Sequence, residues 1–420
     1  MDASEAVALL TSPPGRRDPY PTYERLRAHG PVVATAAGFV VTGYTEADTV
    51  LRSPRFGVMD DEERDGVFPH WQDSPAMMSI SQSMIRANPP DHSRMRRLAA
   101  GVFTPRRVAA LREVVAAQAD ELIDELIRAG RGGAPVDFLG SFAYPLPVTV
   151  ICALLGVPAA DWAQFRRWAS ELTAVLEPEI TPQELAVADA GATELRDYFT
   201  ELIAQRRRDP ADDLTTALVQ AHDAAGDRLS GEELLANLVL LLVAGFETTT
   251  NLLGNGLFVL LTHPDSATAL RGQPELAPSY VEELLRYDSP VQLTSRTVRE
   301  SVTLGGVELP AGSWLLVLLG AANRDPARFT DPARFDPGRA QSPPLSFGAG
   351  AHYCLGAGLA RLEAQVAFPL LLRRLPELSL AGEPVRRSRL TLRGYETLPV
   401  TVGAVAADHG TPAGAALGTP

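Results

Sequence analysis

The chain has 420 residues, of which 45% are hydrophobic and 21% charged, and its 38 basic and 51 acidic residues give a net charge of −13. This composition is typical of a globular protein with a large buried core. Phosphate binding needs a concentrated positive surface, and the chain has no long basic run, so nucleic acid is excluded as the main partner.

The N-terminal segment and the cysteines give no sign of export. No basic segment followed by a long apolar one opens the chain, so we expect no signal peptide. Two cysteines, Cys152 and Cys354, are too few for a secreted disulfide framework. The most apolar run, residues 234–246, is shorter than the ~20 residues of a membrane span. The sequence therefore predicts a cytoplasmic protein without a membrane partner.

Helical periodicity dominates in chain order. A short helix is predicted at residues 21–28, followed by two short strands of one sheet at 32–33 and 39–42. Residues 57–90 are rich in proline and methionine and are predicted to form an irregular loop. Further helices are predicted at residues 91–100, 105–129, 142–155, 159–176, 182–208 and 212–224.

A long helix is predicted at residues 230–263. Ser230 and Glu233 form a capping box at its start, and Pro264 follows its end. At 1.5 Å per residue it would be roughly 50 Å long, and its apolar middle predicts a position in the centre of the protein. The remaining predictions are a helix at 275–287, strands near Gly305, a coil at 325–344, a helix at 355–374, and short strands to 402. Residues 403–420 are predicted to be a disordered tail.

Cys354 lies in the segment Phe347-Gly-Ala-Gly-Ala-His-Tyr-Cys354-Leu-Gly356, directly before a predicted helix. Glycines allow close backbone approach to a flat ligand, and the N-terminus of a helix favours a thiolate. Cys152, inside an apolar run, is expected to be a core residue. The segment resembles the haem-binding signature of the cytochrome P-450 family, Phe-x-x-Gly-x-His-x-Cys-x-Gly, at every fixed position.

The resemblance covers residues 15–402 and implies a single-domain cytochrome P-450 fold of the soluble bacterial branch. This fold is mainly α with a small β region, and its long central helix lies over the haem. The implied cofactor is haem b, with Cys354 as the iron ligand and Phe347 and Gly348 against the cofactor.

The segment Ala244-Gly-Phe-Glu247-Thr248 lies in the middle of the long helix and resembles the oxygen-activation motif of the family. Gly245 is expected to let the backbone lie close to the haem. Thr248 can bond to the carbonyl of Ala244 one turn earlier and loosen the helix there. The resemblance implies that Thr248, with Glu247 and water, delivers protons to oxygen.

Four further residues match the family's contacts to the haem propionates. His92 and Arg96 are spaced i, i+4, and Arg296 and His352 match two more contacts. The family's Arg-x-Ala reads Arg296-Thr-Val298 here, a departure that weakens the assignment of Arg296.

Two segments resemble the family's structural network of one glutamate and two arginines. Glu283-Leu-Leu-Arg286 places an acid and a guanidinium on one helix face, where they can pair bidentately. Pro332-Ala-Arg334-Phe335 resembles the element whose arginine, here Arg334, completes the network behind the haem.

The resemblance also predicts a largely apolar substrate pocket, formed from the loop 77–85, parts of the long helix, residues 291–294 and the region 394–397. Its main predicted residues are Met84, Ile85, Leu240, Val243, Ala244, Leu293 and Thr294. Methionines provide an adaptable, polarisable wall. We therefore expect a sizeable apolar small molecule, such as a polyketide, macrolide or peptide of secondary metabolism.

The implied activity is O2-dependent hydroxylation or epoxidation. Electrons would come from a ferredoxin and its NAD(P)H-dependent reductase, docking near Arg97, Arg106, Arg107 and Arg361. Two alternatives remain open, a peroxide-driven haem enzyme and a non-catalytic haem sensor or electron carrier. Peroxide-driven members of the family typically replace the acid–alcohol pair with Arg-Pro, so Glu247 and Thr248 favour the O2-dependent monooxygenase over the peroxide-driven enzyme.

Overall fold

The computed structural model describes residues 2–101, 103–223, 229–339 and 343–403, and helices make up most of this part. The α-helices are α1 (Ala3–Thr11), α2 (Pro13–Arg17), α3 (Tyr20–Arg27), α4 (Tyr44–Arg52), α5 (Asp61–Val67), α6 (Pro75–Ser81), α7 (Asp91–Ala100), α8 (Pro105–Ala110), α9 (Arg112–Ala129), α10 (Pro145–Leu155), α11 (Trp162–Leu172), α12 (Pro182–Arg208), α13 (Leu214–Asp223), α14 (Gly231–Thr262), α15 (Pro264–Gly272), α16 (Ala277–Tyr287), α17 (Leu319–Ala322) and α18 (Ala357–Arg374).

The strands are short and form small sheets. They are β1 (Val32–Thr35), β2 (Gly38–Val41), β3 (Phe56–Gly57), β4 (Val136–Asp137), β5 (Thr294–Val298), β6 (Val302–Leu304), β7 (Val307–Leu309), β8 (Trp314–Val317), β9 (Ser379–Leu380), β10 (Val385–Arg386), β11 (Tyr395–Thr397) and β12 (Pro399–Thr401). The largest sheet has the order β1-β2-β8-β5-β3, in which β2 and β8 run parallel with Phe39 opposite Leu315. The expectation of a mainly helical fold with a small β region is confirmed.

The helix α14 connects the two largest cores. It begins with the predicted capping box, in which the Ser230 N–H donates to the Glu233 carboxylate at 2.6 Å. Its first half packs with α10 to α13, and its second half packs with α9, α16 and α18. The helix is long and apolar enough to cross a membrane, but 78% of its apolar window is buried inside the protein. This burial is typical of a central core helix.

Two expectations about the elements were wrong. Residues 57–90 contain α5 and α6, whose first N–H groups are capped by Asp60 and Ser74; proline in this segment suggested a loop, whereas it also occurs in the first turn of helices. The predicted helix 105–129 is interrupted at Leu111 and forms α8 and α9. Ahead of residue 15, α1 buries Ala6 and Leu10 against α3. The predicted tail lies outside the described residues, apart from residue 403.

Candidate active site

Cys354 lies in a closed backbone loop just before α18. Its N–H donates to the carbonyl of Phe347 at 2.9 Å, and its sulfur accepts the N–H groups of Gly356 and Ala357. Cys152, in contrast, is fully buried in the core, where burial raises the pKa of its thiol to about 12. Both cysteines are free thiols, so Cys354 is the one that the fold presents to a ligand.

Burial also raises the pKa of the Cys354 thiol, and it outweighs the opposing effects of the Gly356 N–H, Arg96 and Arg361. The N–H groups of Gly356 and Ala357 at the start of α18 nevertheless act in the expected direction, because both lower this pKa and so favour the thiolate. A coordinated metal ion reverses this balance, because it deprotonates the thiol that binds it.

Two glycines in the same loop have left-handed backbone conformations. Gly348 and Gly350 both have φ of +67°. A Cβ atom on Gly350 would lie 2.3 Å from the carbonyl oxygen of Leu51 in α4. The loop that carries Cys354 therefore packs directly against the backbone of α4, and only glycine fits at residue 350.

A cavity of about 700 Å³ extends from Cys354 to α14. All of the main predicted pocket residues line it, namely Met84, Ile85, Leu240, Val243, Ala244, Leu293 and Thr294. The expected contribution of residues 394–397 was wrong, because Tyr395 is buried and its ring stacks under the guanidinium of Arg386 at 3.7 Å. Thr391 and Leu392 line the cavity in their place.

The middle of α14 carries the predicted hydroxyl next to the cavity. Thr248 Oγ1 donates to the carbonyl of Ala244 at 2.9 Å, so the predicted bond is confirmed. The helix nevertheless remains continuous there, and the expected loosening does not occur. A Cβ atom on Gly245 would lie 2.5 Å from Cγ1 of Ile151. The missing side chain at Gly245 therefore also serves the packing of α10 on α14, and Gly245 itself lines the cavity.

Glu247 is buried and forms an ion pair with Arg387, a residue that the sequence analysis missed. The second carboxylate oxygen, Oε2, has no hydrogen-bond partner among the described residues. Burial lowers the pKa of Arg387 to about 10. No local sequence signal links the two side chains, which are 140 positions apart.

The four residues expected to bind propionates lie together at one edge of the cavity. The rings of His92 and His352 are 4.0 Å apart. Arg96 Nη2 donates to the carbonyl of Tyr353 at 2.6 Å, and Arg296 Nη1 donates to its neighbouring backbone carbonyl at 2.7 Å. The fold thus gathers donors from three separate parts of the chain.

Burial determines the charge at this edge. It lowers the pKa of His352 to about 3 and also lowers the pKa of His92, and both shifts favour the neutral rings. Nε2 of His92 is buried without a partner, and no described carboxylate pairs with Arg96 or Arg296. A thiol below an apolar cavity, with unmatched donors at its edge, fits a flat metal-bearing group with acidic substituents, as haem is.

The network behind the site differs from the prediction in one residue. Arg286 forms two bonds of 2.7 and 2.8 Å with the carboxylate of Glu283, and both side chains are buried. Arg334 is exposed and contributes only its backbone carbonyl to Arg286. The second guanidinium is that of Arg339, whose Nε lies 3.6 Å from Glu283 Oε1. Arg334 was therefore wrongly assigned, because the backbone turns its side chain towards solvent.

The four arginines proposed for docking differ in exposure. Arg97, Arg106 and Arg107 are exposed, and Nη2 of Arg107 lies 3.9 Å from Oδ1 of Asp212. Arg361 is partly buried and pairs with the carboxylate of Glu282 at 2.5 and 3.1 Å. Arg361 is therefore less accessible to a partner than the other three.

The chain matches the family model described as Cytochrome P450 over residues 58–273 and 271–383. It is similar to the cytochrome P450 monooxygenase PikC of Streptomyces venezuelae, with 43% identity over 91% of each chain. It is also similar to the 6-deoxyerythronolide B hydroxylase of Saccharopolyspora erythraea, with 41% identity over 91% of this chain and 96% of that protein.

Among solved structures, P450BioI in complex with an acyl carrier protein ligated to hexadec-9Z-enoic acid has a TM-score of 0.86. Its identity is 37%, over 93% of this chain and 100% of that chain. The tirandamycin C-bound monooxygenase TamI has a TM-score of 0.81 and 36% identity, over 92% of this chain and 97% of that chain. The similarities thus extend over nearly the whole chain.

Proposed function

This chain belongs to the cytochrome P450 family of haem-thiolate monooxygenases, and on that premise we propose that it hydroxylates or epoxidises a sizeable, largely apolar small molecule. The observation that carries this proposal is the cavity of about 700 Å³ between Cys354 and Thr248, lined mainly by apolar side chains. A cavity of this size suits a substrate of the dimensions of a drug molecule.

We assign the haem contacts to the residues at the base and edge of this cavity. Cys354 is the proposed iron ligand, and His92, Arg96, Arg296 and His352 would hold the propionates. When bound, the haem supplies the activation of O2, which thiolate ligation assists. Phe347 and Gly348 line the cavity beside Cys354.

We assign proton handling to Thr248 and Glu247. The Thr248 hydroxyl, which now donates to Ala244, can instead donate to a molecule in the cavity by rotating about one bond. The unpartnered Oε2 of Glu247 can accept a proton from water, while Arg387 holds the other carboxylate oxygen in place. The pair can therefore hold and pass one proton at the wall of the cavity.

The relatives suggest the class of substrate. One acts on 6-deoxyerythronolide B, and another binds tirandamycin C. We propose that the substrate of this chain is likewise a polyketide, macrolide or peptide of secondary metabolism, oxidised in the cytoplasm. The adaptable side chains of Met77 and Met84, which line the cavity, are consistent with such a large, irregular molecule.

Bacterial members of the family take electrons from redox partners. For this chain we propose a ferredoxin with an NAD(P)H-dependent reductase. The exposed positive charges of Arg97, Arg106 and Arg107 would attract an acidic protein surface.

The decisive experiment uses the haem-loaded protein. Compounds from secondary metabolism are screened for those that shift the haem absorption spectrum, and hits are incubated with ferredoxin, reductase and NADPH or with hydrogen peroxide alone. We expect oxygenated product only with the electron-transfer system. Product formed with peroxide alone would support the peroxide-driven alternative, and binding without product in either mixture would support a sensor or carrier.

A further inference from the structure

Arg86 is a partly buried cation that lines the cavity, and no carboxylate of the described residues pairs with it. It follows the pocket residues Met84 and Ile85 and lines the same cavity. Its Nη1 lies 3.4 Å from Ser295 Oγ, a long and weak hydrogen bond. No carboxylate in the described ranges pairs with it, and burial together with the charge of Arg64 lowers its pKa.

A second arginine of the cavity provides the contrast. Arg64 also lines the cavity, but its guanidinium pairs with Asp61 at 2.5 Å and donates to the carbonyl of Met59 at 2.9 Å. Its charge is therefore matched within the protein. Arg86 also lies close enough to Arg296 for its charge to lower the pKa of Arg296. The surroundings of Arg86 therefore contain further positive charge.

The acids that line the cavity are already engaged. Glu247 pairs with Arg387. Glu177 accepts the backbone N–H groups of Leu390 and Thr391 at 2.8 and 3.1 Å. Neither carboxylate is available to Arg86.

Among the described residues, the number of cavity arginines without a carboxylate partner exceeds the number of haem propionates. A haem has two propionates, and under the proposed function Arg96 and Arg296 balance them. Arg86 is then a surplus positive charge at the wall of a largely apolar chamber, and a charge that is partly withdrawn from water is unfavourable unless a partner neutralises it. Guanidinium groups bind carboxylates especially well, since two parallel N–H groups meet two oxygens.

We propose that Arg86 binds an acidic group, a carboxylate or its equivalent, on the substrate. The preferred substrates are then amphiphiles with an apolar body and one negative charge. This inference rests on the proposed function and specifies its substrate class. A haem propionate could provide the same chemistry, so the test separates the two sources.

The experiment uses probes that bind the haem iron itself, so the natural substrate need not be known. Imidazole ligates haem iron and shifts the absorption spectrum of the holoprotein. A series of imidazolyl-alkanoic acids of increasing tether length is compared with the methyl esters of the same compounds. The proteins are the unchanged chain, Arg86→Gln, Arg86→Lys and the control Arg64→Gln, and haem content is measured for each.

We expect the unchanged protein to bind the acid about tenfold or more tightly than the ester at one or more tether lengths, the range of a charge-assisted hydrogen bond. Arg86→Gln should lose this preference, Arg86→Lys should keep part of it, and Arg64→Gln should keep all of it. An equal affinity for acids and esters in the unchanged protein would overturn the proposal, as would a preference that survives in Arg86→Gln.

Loss of haem from Arg86→Gln, with normal haem in Arg64→Gln, would instead assign Arg86 to a propionate and also overturn the proposal. All these readouts measure binding and haem content. Oxidation of neutral apolar compounds with ferredoxin and reductase therefore still tests the proposed function independently.

Discussion

The buried and partly buried arginines in two regions of this protein differ in how their charge is matched. Behind the cysteine loop and at the end of α16, each guanidinium meets a carboxylate. Arg286 bonds twice to Glu283, and Arg386 and Arg393 both bond to Asp288 at 2.9 and 2.7 Å.

At the cavity, Arg86, Arg96 and Arg296 have no carboxylate partner among the described residues. Burial without a partner is unfavourable for a charge, so such a group is retained where a ligand completes it. The matched group stabilises the fold, whereas the unmatched group is arranged for anions that the protein itself does not provide. Five experiments can break or sharpen this comparison.

The largest effect is expected at Cys354, because the comparison assumes that the unmatched arginines surround a haem held by this residue. Cys354→Ser should abolish the characteristic long-wavelength band of the reduced, carbon monoxide-bound protein, since an alcohol cannot replace a thiolate. Cys152→Ser should leave the band intact. The reverse result in the two spectra would show that the ligand was wrongly assigned.

Among the matched arginines, Glu283→Ala should lower the free energy of unfolding by ~3–5 kcal/mol, because it leaves Arg286 buried without its partner. Chemical denaturation of the holoprotein measures this change. Arg334→Ala is the matched control and should be nearly silent, because Arg334 is exposed. Equal losses in the two variants would contradict the structural role given to Glu283.

The stabilisation that Asp288 provides by pairing with Arg386 and Arg393 is expected to depend on pH. Burial alone would raise its pKa, but Arg393 and Arg386 hold the pKa well below the usual value of 3.8. The resulting stabilisation is fully present above the usual pKa of 3.8, begins to decline as the pH falls below it, and is lost as the pH falls through the lower folded-state pKa. Asp288→Asn should therefore cost about 2–3 kcal/mol at pH 7.

Thermal unfolding from pH 7 to pH 3 provides the measurement. The difference between the unchanged protein and Asp288→Asn should shrink as the pH falls. A constant difference across this range would mean that the charge of Asp288 does not contribute.

On the cavity side, Thr248→Ala should change chemistry without changing stability. The variant lacks a proton donor but retains the pocket, so substrate binding spectra and the melting temperature should persist. NADPH should still be consumed, with several-fold less product per NADPH. An unaltered product yield and rate would remove Thr248 from proton delivery.

The smallest effect is expected at Arg86. Removing a partly buried charge that has no carboxylate partner costs the fold little or nothing, so Arg86→Gln should keep or slightly raise the melting temperature of the holoprotein. A decrease comparable to that of Glu283→Ala would show that Arg86 has a structural partner, and the division between the two groups would fail.

Local patterns predicted much of this site. The spacing around Cys354, the capping box of α14 and the bond from Thr248 to Ala244 each depend on residues within one or two turns of chain, so sequence alone specifies them. The bounds of α7 and α12 were also predicted to the residue.

Long-range pairing could not be predicted in the same way. Arg387 reaches Glu247 from another part of the chain. Arg339 replaces Arg334 because the folded backbone places the guanidinium of Arg339 near Glu283 and leaves Arg334 exposed. The neutral state of His352 likewise depends on burial, which only the packed fold creates.

The contact between Gly245 and Ile151 has a consequence for how relatives of this protein can diverge. Any side chain at residue 245 meets Ile151 across the interface of α10 and α14. Accommodating it by shifting Ile151 costs about 1–3 kcal/mol, whereas a smaller neighbour relieves the overpacking. The two positions are thus expected to vary together in evolution. A descendant with alanine at 245 should have valine or alanine at 151, and swapping only one of the two residues should be selected against.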